Sequence, residues 1–162
     1  MSAGRVFIAE QVIAMLWHSA ADAKPLETGG VLVGVLRDDE PWITSAFEVI
    51  DVGRTSASFV IPAGVTPMAV EAAQDYDGRV GFIGMWHSHP ANVPASPTDK
   101  ATLRREASRR GRTKNVPAIM IVVRDTEAGW CLDAVRDTGK GPQPVEIVLT
   151  GPIGQEGPDD AR

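Results

Sequence analysis

The chain has 162 residues, 43% of them hydrophobic, 23% charged and 6% aromatic, the composition of one soluble globular domain. Sixteen basic against 21 acidic side chains leave a net charge of −5, which argues against nucleic-acid binding, where neutralising phosphates dominates affinity. The single cysteine, Cys131, excludes an intrachain disulfide and suits a reducing cytoplasm; no apolar run reaches the roughly 18 residues of a membrane span, and Met1–Ala9 lacks a signal-peptide pattern.

Arg5–Ile8 reads as a short strand. Glu10–Ala21 carries Ile13, Leu16, Trp17 and Ala20 at helical spacing, and Lys24-Pro25 ends that helix because the residue before proline disfavours helical angles. Gly30–Leu36 is apolar and β-branched, hence a strand. The polar turn Arg37–Pro41 leads back into Trp42–Val52, so the two form a hairpin. Ser58–Ile61 reads as another short strand. Pro67 opens a helix to Tyr76, with Met68, Val70, Ala72 and Ala73 available for packing.

Val80–Trp86 is a near-continuous apolar run, as expected of a strand covered on both faces. Thr98–Arg110 has helix formers and a stop at Gly111. Ala118–Val123, Gly129–Val135 and Val145–Thr150 complete the strands. Strands and helices interleave but hairpins are frequent, so the expectation is an α/β domain over 1–150 with an α+β-like mixed sheet flanked by helices. Residues 151–162, rich in Gly, Pro and acids, read as a disordered tail.

The chemistry concentrates behind Trp86. In an extended segment residues i and i+2 point the same way, so His87 and His89 project together, beyond Ile83 and Met85. Two imidazoles so spaced reach one ion at about 2.0–2.1 Å. Ser96-Pro97-Thr98-Asp99 follows, with Asp99 in a first helical turn where the dipole favours a carboxylate. Two His and one carboxylate leave a fourth position open for water, the pattern of a catalytic zinc site. Glu27, in Glu27-Thr28-Gly29-Gly30-Val31-Leu32-Val33-Gly34, offers a proton acceptor at a strand mouth, with glycines that permit close backbone approach. His18, mid-helix, reads as a partly buried structural histidine, and Cys131 as a small buried hydrophobe. Trp86 and Met85 read as core around the ligands.

With Glu27, His87-Ser88-His89, Ser96 and Asp99, the chain resembles the JAMM (JAB/MPN) metalloprotease family. That family's signature is a distant Glu, then His-x-His, a short loop and Ser-x-x-Asp. The likeness spans about residues 5 to 135. The loop from His89 to Ser96 is one residue shorter than the family's usual spacing.

The resemblance implies a cytidine-deaminase-like three-layer JAMM/MPN architecture. It implies one catalytic Zn2+ held by His87, His89 and Asp99, with Glu27 moving protons and Ser96 donating to the oxyanion. It further implies a cytoplasmic isopeptidase or peptidase of the prokaryotic branch. Such an enzyme cleaves after the C-terminus of a ubiquitin-like protein, alongside activating or conjugating enzymes of a conjugation or antiviral operon.

Three alternatives stand beside it. One is release of an amino acid such as cysteine from a sulfur-carrier protein. Another is a non-catalytic scaffold subunit. The third, a Ser-His-Asp hydrolase, is disfavoured because Ser88 points away from its neighbouring histidines and no Gly-x-Ser-x-Gly elbow exists. No nucleic-acid or membrane partner is expected. Arg104, Arg105, Arg109, Arg110, Arg112 and Lys114 oppose one acid, Glu106. They form either a solvated helix face or a docking patch for an acidic partner.

Overall fold

Seven strands and three helices alternate along the computed structural model, which describes residues 4–110 and 118–151. The strands are β1 (Arg5–Ala9), β2 (Gly29–Arg37), β3 (Glu40–Val49), β4 (Gly81–His89), β5 (Ala118–Thr126), β6 (Gly129–Asp137) and β7 (Gln143–Thr150). The helices are α1 (Glu10–Ala23), α2 (Val65–Tyr76) and α3 (Pro97–Arg110). The expected mixed α/β character holds. The strand order β1-β3-β2-β4-β5-β6-β7 closes on itself through β1 and β7, a closure that local periodicity could not have announced. Pairing is parallel at β1–β3, β1–β7 and β4–β5 and antiparallel elsewhere.

The helices divide between the two faces of the sheet. On one face α1 buries Val12, Ile13, Leu16 and Ala20 against Ile8, Leu32, Trp86, Ile119 and Ile121. Burying a leucine such as Leu16 contributes about 1.5–3 kcal/mol. On the other face α2 packs over Val31 and Val33, and α3 packs Leu103 and Ala107 over Met120 and Val122. The alternation Ile119, Met120, Ile121, Val122, Val123 between the two cores is the period-two rule of a strand covered on both sides.

Local chemistry explains the joints. Asp38 and Asp39 both take positive φ, 52° and 64°, as a two-residue hairpin turn matching strand twist requires. Gly30 is demanded by close approach: a Cβ there would lie 1.7 Å from the Phe47 carbonyl oxygen.

Several expectations fail, each for a tertiary reason. Ser58–Ile61 is loop, not strand. Asp51 accepts hydrogen bonds from the Gly53 and Val60 amides, and Thr55 bonds Ser58, folding the segment on itself instead of onto a ladder. β3 ends at Val49 rather than Val52. In α2 Ala73 is buried and Val70 packs beside it as expected, but Met68 is 70% exposed and Ala72 is exposed, because the helix lies against the sheet by one narrow edge. Trp17 and His18 are exposed, since the buried stripe of α1 runs through Val12, Ile13, Leu16 and Ala20. Cys131 is exposed too. The expected stop at Gly111 and the tail beyond Gly151 lie outside the described residues.

Candidate metal centre

β4 runs on past Trp86 through His89, with a register shift against β2 between Leu32 and Val33. This bulge falls at Ile83, between the pairs Leu32↔Gly84 and Val33↔Phe82, and changes the phase of the strand. Ile83 joins the α1-side core, while Met85 packs on the α3 side. His87 and His89 therefore share a face with Met85 and not, as the simple alternation predicts, with Ile83 as well. That face looks toward the N-terminus of α3.

There the sequence Ser96-Pro97-Thr98-Asp99 starts the helix with a reciprocal pair. The Ser96 amide donates to Asp99 Oδ2 at 2.7 Å, and the Asp99 amide donates to Ser96 Oγ at 3.1 Å. It is a capping box that satisfies two N-terminal donors. The same box aims Asp99 at the histidines: its Oδ1 lies 3.3 Å from His87 Nε2 and its Oδ2 3.4 Å from His89 Nε2. The two Nε2 atoms are 3.0 Å apart. One ligand atom from each of His87, His89 and Asp99 falls within a 4.8 Å cluster, so the three could hold a metal ion.

The chemistry of the donors fits a cation. The Val93 carbonyl lies 2.6 Å from His89 Nδ1. A carbonyl only accepts, so Nδ1 carries the proton and Nε2 turns its lone pair into the cluster, the usual device for orienting a metal-ligating histidine. Two imidazoles and one carboxylate form a borderline N/N/O set of the kind that suits zinc.

Glu27 is not a solvated turn residue. It is buried at 7% exposure, and its Oε1 stands 3.8 Å from His89 Nε2. The pairing Gly29↔His87, continued by one step of two, sets Glu27 opposite His89. The strand mouth is clamped. The Ser88 amide donates to the Thr28 carbonyl at 2.7 Å, the Thr28 amide donates to Ser88 Oγ at 2.9 Å, and the Glu27 amide donates to the Thr55 carbonyl at 2.8 Å. Thr28 Oγ1 in turn donates to Glu48 at 2.7 Å and accepts from Arg54 at 3.0 Å.

Electrostatics follow from crowding. Burial pushes the Glu27 carboxyl above its ordinary range, with the imidazoles pulling the other way. For Asp99 burial also opposes charge, but the adjoining His87 and His89 imidazoles and the hydrogen bond from the Ser96 amide prevail and hold it well below the carboxylate range. For His89 burial disfavours the cation, yet Asp99, the Val93 carbonyl and Glu27 together raise its pKa.

All five residues singled out in the sequence, Glu27, His87, His89, Ser96 and Asp99, are thus gathered at one end of the sheet. Sequence reasoning missed the clamp through Ser88, Thr28, Glu48, Arg54 and Thr55, and the role of Val93. Strand parity already turned Ser88 away from the histidines; nothing local said what it would meet.

Comparison with known proteins bears on the family and the fold. The profile of a family described as prokaryotic homologs of the JAB domain matches residues 9–135. A solution structure of a Desulfitobacterium hafniense protein, determined by a structural genomics consortium, superposes with a TM-score of 0.72 at 16% identity, covering 92% of this chain and 95% of that one. At that identity the likeness speaks for the fold alone. No curated protein matches the chain.

Proposed function

The chain belongs to the family of prokaryotic homologs of the JAB domain, and from that premise we propose that it is a zinc-dependent hydrolase. Its substrate is a peptide or isopeptide bond after the C-terminus of a ubiquitin-like protein. The observation that carries this reading is the convergence of His87, His89 and Asp99 beside a buried carboxylate, Glu27, that stands next to the ligands without belonging to their cluster. The family reading also carries a three-layer, cytidine-deaminase-like arrangement, supported by the division of the helices between the two sheet faces.

His87 and His89 offer their Nε2 atoms and Asp99 a carboxylate oxygen. When bound, zinc supplies Lewis acidity, lowering the pKa of a water at its open position toward about 7 and polarising the scissile carbonyl. Glu27 accepts the proton of the attacking water and hands it to the leaving amine. Burial raises the proton affinity of Glu27, which suits it to both halves of that transfer. The Ser96 oxygen is already an acceptor for the Asp99 amide, so its own hydrogen is free to donate to the developing oxyanion. A donor of that kind is worth about 2.7–4 kcal/mol in the transition state.

A scaffold without chemistry has no use for a buried glutamate beside converging ligands. Release of an amino acid from a sulfur-carrier tail uses the same residues and is told apart by substrate.

The test pairs a metal assay with a cleavage assay on a ubiquitin-like protein encoded beside this gene and fused through its C-terminus. Wild type should bind one zinc and cleave at the junction. Glu27→Ala should keep the zinc and lose turnover. Wild-type turnover by that variant, or no cleavage of any neighbouring ubiquitin-like fusion, would overturn the proposal.

A further inference from the structure

Beside the ligand cluster the closed sheet comes apart. β6 is paired with β5 along its whole length, but with β7 only through Ala134, Val135 and Arg136. From Glu146 onward β7 is paired with β1 instead. The edge of β6 over residues 129–133 that faces β7 is therefore without a ladder partner among the described residues. Below this gap lies a cleft of about 470 Å³, walled by Pro94, Ala95, Leu132, Val145 and Ile147, with Lys100 at its rim.

Two features give the cleft a chemistry. Arg124 holds one wall in place, donating to Asp133 Oδ1 at 3.1 Å and to Asn92 Oδ1 at 2.5 Å, so the loop that follows His89 is tied to β6. The arginine's charge is spent on Asp133. Lys100 is exposed, makes no ion pair among the described residues, and immediately follows Asp99. Further along α3, Arg104 and Arg105 are exposed as well. In a chain of net charge −5, Lys100 is the α3 side chain that lines the cleft and sets an unpaired cation beside an apolar trough.

We infer that the β6–β7 cleft binds an extended, acidic peptide segment of a protein partner. The segment adds as a strand to the open edge of β6, sets apolar side chains into the trough and presents a carboxylate to Lys100. Main-chain pairing would supply affinity and the alternate side chains specificity. The open stretch takes about five residues at roughly 3.4 Å each. The peptide's role rests on the hydrolase reading: it is the part of the substrate flanking the scissile bond, steered past the loop that carries Val93 and Ser96. Its binding does not depend on that reading.

The probe is a fluorescein-labelled peptide, Gly-Leu-Glu-Leu-Glu-Leu-Gly, followed by anisotropy with the full chain in EDTA so that no hydrolysis intervenes. The control replaces each glutamate by lysine. Saturable binding of the acidic peptide is expected, with amide shifts in β6 over 129–133. Lys100→Glu should weaken it about three- to tenfold and Lys100→Arg should leave it unchanged, the range for one partly exposed ion pair reversed in sign. Equal binding of the lysine control, shifts confined elsewhere, or indifference to Lys100→Glu would each overturn the inference. So would a self-association abolished by Lys100→Glu in the absence of peptide binding, which would give the cleft to a second copy of the chain. Cleavage without peptide binding would remove this inference alone; peptide binding without cleavage would remove only the hydrolase reading.

Discussion

Ser88→Ala probes the clamp at the strand mouth most directly. Ser88 Oγ accepts from the Thr28 amide at 2.9 Å, and Thr28 is completely buried, with Ser88 itself only 1% exposed. Removing the hydroxyl leaves that amide with no partner and no water. An unsatisfied buried donor costs about 1–3 kcal/mol. The other half of the clamp, Ser88 amide to Thr28 carbonyl, is main chain and survives. In urea, with a slope of about 2 kcal/mol/M, the unfolding midpoint should fall by roughly 0.5–1.5 M with the slope unchanged. Hydrogen exchange offers a local readout: the Thr28 amide should exchange about 5- to 150-fold faster, the same free energy expressed as a ratio. Zinc stoichiometry should not change, because His87 and His89 point to the opposite face. A midpoint shift below about 0.2 M, together with wild-type exchange at Thr28, would refute the clamp.

His89→Ala and Asp99→Asn should each lose stoichiometric zinc on dialysis, read by atomic absorption; full retention by both would break the ligand set. Leu103→Ala, at a completely buried position where α3 meets β5, should cost about 2–5 kcal/mol by denaturation; a cost below 1 kcal/mol would mean that α3 is not anchored there. The Asp77 carboxyl, hydrogen-bonded by the Arg79 side chain and amide, should titrate at about 2. A depressed carboxyl stabilises the fold above its unfolded pKa and loses that contribution as pH falls toward 2. Arg79→Ala should return the NMR midpoint toward the ordinary aspartate range, and an unmoved midpoint would contradict the assignment.

Whatever short-range geometry controls was legible along the chain. Strand parity sends His87 and His89 to one side, Ser-x-x-Asp closes a helix start on itself, and two-period and helical patterns mark most of the elements. These depend on neighbours a few residues apart, so a linear reading reaches them. The burial of Glu27 is different. It lies 60 residues before His87 and meets the histidines only because β2 pairs with β4, in a phase set by one bulge at Ile83. The turning of Trp17, His18 and Cys131 to solvent, the folding of Ser58–Ile61 into a loop, the closure of β1 on β7 and the open gap beside β6 likewise follow from which surfaces meet across the chain. Such contacts leave no local period. Hydrophobic side chains report that they seek cover, but only the packed sheet decides which of them receive it.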